Sequence, residues 1–317
     1  GVVSGSGSLT QSGAGSTELA ASNTYTGGTT ISGGTLVLSG ANALTATTGA
    51  AGLINLNSGT LRIDHQQALT AAHDLNINGG TLAISDKNLT LNRVNLSSGS
   101  ITGTTGVLTA SAFNFTNAGT VSAALAGQAD LNKSGAGTVT LSGNNTYTGK
   151  TLIQQGTLIA AHNNALGAGD GTAATGTFVN YGGTLDLYNG ATAVNISNEY
   201  LSLKGVGNSS VGALRAYTTG ISTNVDHTLS GPIVLEGDSS IHSYFENNAN
   251  CSYYGNYCSA TLNLSGAFNL SSYALTIVGG GRAKLSGVVS GSGSLTQSGA
   301  GSTELAASNT YTGGTTI

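Results

Sequence analysis

Two acid–histidine pairs, Asp64-His65 and His73-Asp74, are the nearest this 317-residue sequence comes to a metal or acid/base group. An imidazole beside a carboxylate can relay a proton or contribute ligands to a metal. Both pairs lie in segments flanking one short apolar block, and solvated loop residues are the simpler reading. Gly169-Asp170-Gly171 has the composition of a calcium loop, but the glycine-rich repeat that builds calcium-binding coils is absent from the sequence. The 13 acidic residues are scattered. Asp64 and Asp186 could align across coils, yet paired carboxylates need close approach and a cleft to act as acid and base. The sequence therefore predicts no catalytic, cofactor-binding or metal-ligating set, and no enzyme.

A second group is built for contact. Tyr244, Phe245, Tyr253, Tyr254 and Tyr257 fall within fourteen residues, around Cys251 and Cys258. Tyrosine supplies contact area at low entropic cost, so this stretch reads as a contact loop, or else as rings lying down to cap an irregular coil. The two cysteines, with no histidine nearby, make a poor zinc site, because structural zinc takes four ligands. A disulfide closing a small loop is favoured over two free thiols and points to an oxidising, extracytoplasmic setting.

Composition narrows the partners. Charged residues are 7% of the chain and the net charge is −4. Phosphate backbones and anionic membranes both demand clustered cations, so neither is expected as a partner. No apolar run reaches the roughly 18 residues of a membrane span. Glycine is abundant, at 50 residues, but 38% of residues are hydrophobic, which argues against a disordered chain.

The elements that carry these groups are short strands. Gly34-Thr35-Leu36-Val37-Leu38 alternates apolar and polar positions, and the block recurs as Gly59-Thr60-Leu61-Arg62-Ile63, Gly80-Thr81-Leu82-Ala83-Ile84, Gly137-Thr138-Val139-Thr140-Leu141, Gly156-Thr157-Leu158 and Gly183-Thr184-Leu185-Asp186-Leu187. With the shorter Gly99-Ser100-Ile101 and Gly119-Thr120-Val121, successive blocks start 18 to 27 residues apart. Arg62 and Asp186, between apolar neighbours, cannot face a core, so the leucines do. A strand recurring at this interval, with turn residues between, predicts an all-β parallel β-helix of about 20 residues per coil. The regular blocks fade after Leu187, and the segment from Ile241 to Ser259 reads as a loop thrown out from the coils.

Repetition also operates on a larger scale. Residues 287–317 repeat residues 1–31 letter for letter, a period of 286, and Ser12–Leu44 recurs at Ser134–Leu166 without a gap. Identity of that length is not demanded by a fold that tolerates many sequences, and indicates tandem duplication. Residues 1–286 are thus expected to form one full unit of a continuous solenoid and residues 287–317 the start of the next, with no separate globular domains. The absence of methionine and the break at Ile317 inside a motif suggest a window on a longer polymer, with both ends of the stack continued by neighbouring units.

The residues GAGSTELAASNTYTGGTTISGGTL and GAGTVTLSGNNTYTGKTLIQQGTL resemble the autotransporter-associated β-strand repeat, over residues 8–44, 130–166 and 294–317. The resemblance implies a right-handed β-helix displayed at a bacterial cell surface, used as a stalk or an adhesin, with no catalytic residues to transfer. The expected function is a structural segment of a long extracellular fibre. Its expected partners are the adjacent repeat units of the same chain, with lateral self-association and surface glycans as further possibilities. The alternatives are an adhesin binding glycans and, behind it, a polysaccharide-active β-helix enzyme. Replacing Leu158 with Asp is expected to open a coil, lowering the urea midpoint; an unchanged midpoint refutes its inward assignment.

Overall fold

The computed structural model describes residues 1–45, 52–190, 192–218, 225–245 and 260–317. The chain forms two compact units, residues 1–132 with 137–149, and residues 133–136 with 150–317. Both are parallel β-solenoids, and together they comprise about 14 turns of about 21 residues.

In the first unit the long strands Thr29–Leu38, Leu53–Ile63, Asp74–Ser85 and Leu89–Gly103 pair in parallel, each with the next. Their alternation is the one the Gly-Thr-Leu blocks predict. Leu36, Leu61, Leu82, Ile101, Val121 and Leu141 stand in one register column, and all are fully buried. A second column, Ile31, Leu56, Ile77, Leu96 and Phe115, lines another wall of the same core. Burying a leucine or isoleucine contributes about 2 kcal/mol, so the columns are the main favourable term in each coil.

The glycine that opens a block is required by the corner. Gly34 and Gly59 take φ of 58° and 75°, and a Cβ on Gly59 would stand 2.5 Å from the Gly34 carbonyl oxygen. The chain turns there in a left-handed conformation, and successive corners approach too closely for any side chain.

Outside the core, unlike groups do not alternate at random. Asn76 donates to Asn55 Oδ1 at 2.9 Å, Asn95 to Asn76 Oδ1 at 2.8 Å and Asn114 to Asn95 Oδ1 at 2.9 Å, on four successive strands. Each amide donates one way and accepts the other, so the ladder satisfies polar groups without charge.

In the second unit Leu158, Leu185, Leu214, Ile241 and Ile277 form the corresponding column, with all but Ile277 fully buried. Leu158 therefore faces in as expected. Another wall carries Ile196, Leu229, Leu264 and Leu285. The coils here are longer and uneven, which is why the regular blocks fade in the sequence while the stacking persists. One short 3-10 turn, Asn208–Ser210, interrupts the strands.

The repeated motif has a structural role at each occurrence. Asn23, Asn145 and Asn309 occupy the same motif position, and each accepts a backbone N–H from 20 residues earlier: Val3 at 2.8 Å, Leu125 at 2.9 Å and Val289 at 2.8 Å. Asn23 also donates to the Ala43 carbonyl at 2.7 Å, so one side chain ties three successive segments together.

Truncating Asn76 to Ala removes two amide bonds and strands both neighbours, and is expected to cost about 2 kcal/mol. Urea unfolding of Asn76→Ala beside Asn57→Ala, at the edge of the same face, is the check; the Asn76 variant should lose more.

Candidate binding face

The outward positions of Gly183–Leu187, Leu214–Thr218 and Ile233–Phe245, in the second unit, gather the densest set of polar and aromatic side chains among the described residues. Register places Asp186 opposite Arg215 and Arg215 opposite His242. Asp186 is only 1% exposed although it points away from the leucine column. Its Oδ2 accepts from Arg215 Nε at 3.1 Å and from Nη2, while Oδ1 is buried with no partner among the described residues. Burial pushes the Asp186 carboxyl up, and the Arg215 guanidinium opposes that push. The expectation that Asp186 needs a partner holds, but the face it occupies is covered, whereas Arg62 is half-exposed and pairs with Asp64 at 2.7 Å.

Two residues further along the same strands stand Tyr188, Tyr217 and Tyr244. The Tyr188 and Tyr217 ring centroids are 5.0 Å apart and those of Tyr217 and Tyr244 are 5.5 Å apart, both pairs tilted by about 30°. His242 meets Tyr244 edge-on at 5.8 Å, and Arg215 lies 5.3 Å from the Tyr217 centroid. The three rings cover one another's faces and turn their hydroxyl edges outward. Tyr244 therefore belongs to a strand and not to a loop: Ile241–Phe245 continues Ile233–Phe245 and pairs with Leu214–Thr218. This corrects the loop expected from Ile241 onward, because Ile241 and Ser243 face in while His242 and Tyr244 face out. Phe245 closes the same strand. Tyr253, Tyr254 and Tyr257, and the cysteines Cys251 and Cys258, lie outside the described residues.

Beside this column the chain leaves the coil at 206–212 and folds back on the outer face. Thr184 Oγ1 donates to the Gly212 carbonyl at 2.9 Å and accepts the Asn208 N–H at 2.8 Å. Ser209 and Ser210 both take left-handed φ, 51° and 61°. A groove of about 400 Å³ opens between Val206 and Ser210 on one side and Ser240, Thr276 and Val278 on the other, with Asp238 at its end.

The acid–histidine pairs do not assemble. His73 is buried, not solvated: its Nδ1 accepts the Thr70 N–H at 3.0 Å and burial lowers its pKa. Asp74 instead accepts from Asn92 at 2.7 Å. Asp170 Oδ1 accepts the Thr172 N–H at 2.8 Å and the Thr172 and Thr175 hydroxyls at 2.7 Å each, so it builds a turn. No group of three or more His, Cys, Asp or Glu is placed to hold a metal among the described residues.

Sequence reasoning missed the partners Arg215 and His242 and the rings Tyr188 and Tyr217. Spacing carried a signal: Asp186, Arg215 and His242 are separated by 29 and 27 residues, and so are Tyr188, Tyr217 and Tyr244. It also missed Lys133, whose Nζ is sealed against the carbonyls of Ser134, Gly135 and Gln155 at 3.0, 2.8 and 3.0 Å. The same motif position holds Gln11 and Gln297, and Gln11 Nε2 caps the Gly13 and Gly15 carbonyls at 3.0 and 3.2 Å.

Residues 9–38, 131–160 and 295–317 each match the passenger-associated-transport-repeat family model. The matched segments are displaced by the same 122 and 286 residues that relate the copies, and they contain the Asn23, Asn145 and Asn309 bridges. A parallel β-solenoid with this repeat is similar to autotransporter passengers, a family whose members are secreted to the cell surface. No curated protein and no solved structure matches the chain.

Removing the Arg215 guanidinium leaves a buried carboxylate without its counter-ion, a change that typically costs about 3 kcal/mol or more. Arg215→Gln should lower the melting temperature sharply, and Asp186→Asn in the same chain should recover most of the loss. For Lys133, burial brings the ammonium pKa down to about 8 from 10.5. The unfolded chain holds that proton up to pH 10.5 while the folded one has released it, so stability rises with pH between 8 and 10.5. Denaturation across that window should show the rise, and Lys133→Gln, which keeps the capping donor, should flatten it.

Proposed function

We propose that this chain is a structural segment of an extracellular bacterial surface fibre, an autotransporter-type passenger extended by tandem solenoid units. The observation that carries the reading is the phase of the duplicated segment. Leu9 and Thr10 pair with Thr29 and Thr30, and Leu295 and Thr296 pair with Thr315 and Thr316, identical partners 286 residues on. The Tyr25–Thr29 hydroxyl contact at 2.6 Å recurs as Tyr311–Thr315 at 2.5 Å. Both copies thus stand at the same point of a coil. A further unit would start where the last one leaves off, with no register break, and its partners would be the neighbouring units of the same chain.

The remaining groups support a mechanical role. Lys133 and Glu199 are buried and strongly perturbed, yet each is spent on a structural contact: Glu199, pushed up to about 8 by burial, accepts the Thr177 hydroxyl at 2.7 Å. We assign no catalytic step to the chain. A second reading, a surface adhesin, is favoured by the tyrosine column and the groove beside it.

Electron microscopy of the native material tests the structural reading. With coils stacked about 4.8 Å apart, some 14 coils rise about 65 Å. A thin filament with that axial period is the expected outcome; short isolated rods without the period would refute it.

A further inference from the structure

We propose that the groove between the 206–212 excursion and the strands Ile233–Phe245 and Leu275–Val278 is a binding site for one ring of a neutral saccharide. The site is independent of the fibre reading, since a filament can form whether or not the groove is occupied.

The argument starts from the lining. Val206, 53% exposed, and Val278 offer apolar surface on opposite sides, while Ser210, Ser240 and Thr276 offer hydroxyls and Asp238 a carboxylate. An apolar wall facing a hydroxyl wall matches a pyranose ring, which has C–H faces and a rim of hydroxyls. The volume of about 400 Å³ lies in the range of small-molecule sites and exceeds the need of a single ring.

Charge then selects among ligands. Asp238 Oδ1 accepts the Ala274 N–H at 2.8 Å, which fixes the carboxylate at the end of the groove. Its other oxygen is left to accept hydroxyl protons, and a carboxylate accepting from hydroxyls forms the stronger, charge-assisted kind of hydrogen bond. No lysine or arginine lines the groove, so an acidic sugar would meet an unscreened carboxylate. A purely apolar ligand would strand the serine and threonine hydroxyls without water.

The backbone keeps the groove open. The excursion is closed on itself by the Gly212 N–H donating to the Val206 carbonyl at 2.8 Å, and the Ala213 N–H ties its end to Ser240 at 2.8 Å. Its wall is therefore preformed, which lowers the cost of binding a weak ligand. From the groove the same outer face runs on to His242 and Tyr244, so a polymer could lie along it with one ring seated.

Saturation-transfer NMR on the 317-residue chain tests this, with maltose, cellobiose, lactose and chitobiose as neutral probes and digalacturonate as the acidic one. At least one neutral disaccharide is expected to bind with a dissociation constant of about 1 mM, near −4 kcal/mol. Asp238→Asn, which still accepts the Ala274 N–H, is expected to weaken it about tenfold, equivalent to about 1.4 kcal/mol. Thr276→Phe, which fills the groove from an outward position, is expected to abolish it with an unchanged melting temperature. The proposal is overturned if no neutral disaccharide shows transfer at about 10 mM. It is equally overturned if binding survives both substitutions, or if digalacturonate binds as well as the neutral probes.

Discussion

In a parallel coil every residue lies under its counterpart in the next turn, about 4.8 Å away. That constraint governs what may occupy each position. A leucine must stack on a leucine-sized residue, as along Leu36, Leu61 and Leu82. A corner glycine must meet another glycine, as Gly59 meets Gly34. An amide can stack on itself indefinitely because it both donates and accepts, and the Asn55 to Asn114 ladder uses that property.

Charge is the group that the constraint tolerates least. Two like charges at that spacing repel by about 3 kcal/mol at an effective dielectric of 20, a cost repeated at every turn. The low charged fraction of this chain, 7%, is the direct result. Where charges do occupy outward positions, neighbouring coils carry opposite signs: Asp186 under Arg215, Lys204 with Glu236 at 2.9 Å, and Lys284 opposite Glu304 at 3.5 Å. The tyrosine column obeys the same rule in another way, since offset aromatic rings attract.

Much of this was legible before any coordinates. The Gly-Thr-Leu blocks disclosed the strands, the inward leucines and the coil length, because a buried alternation and a left-handed corner leave strong marks on a sequence. The 31-residue identity disclosed the unit. What stayed hidden depended on register between coils of unequal length. Ile241 stacks on Ile277 across 36 residues while Leu275 stacks on Leu295 across 20, so no fixed period could bring Asp186, Arg215 and His242 into line. His73 was hidden for a different reason: it turns inward at a corner, where alternation gives no guidance, and burial keeps it neutral.

The phase of the duplicated segment has a genetic side. Identical stretches of coding sequence recombine, and recombination between copies adds or deletes whole units. Because Leu9 and Leu295 sit at the same point of a coil, such an event gives no residue an unfamiliar neighbour, and no compensating substitution has to follow. Length in this design is a trait that can drift between generations while folding stays constant.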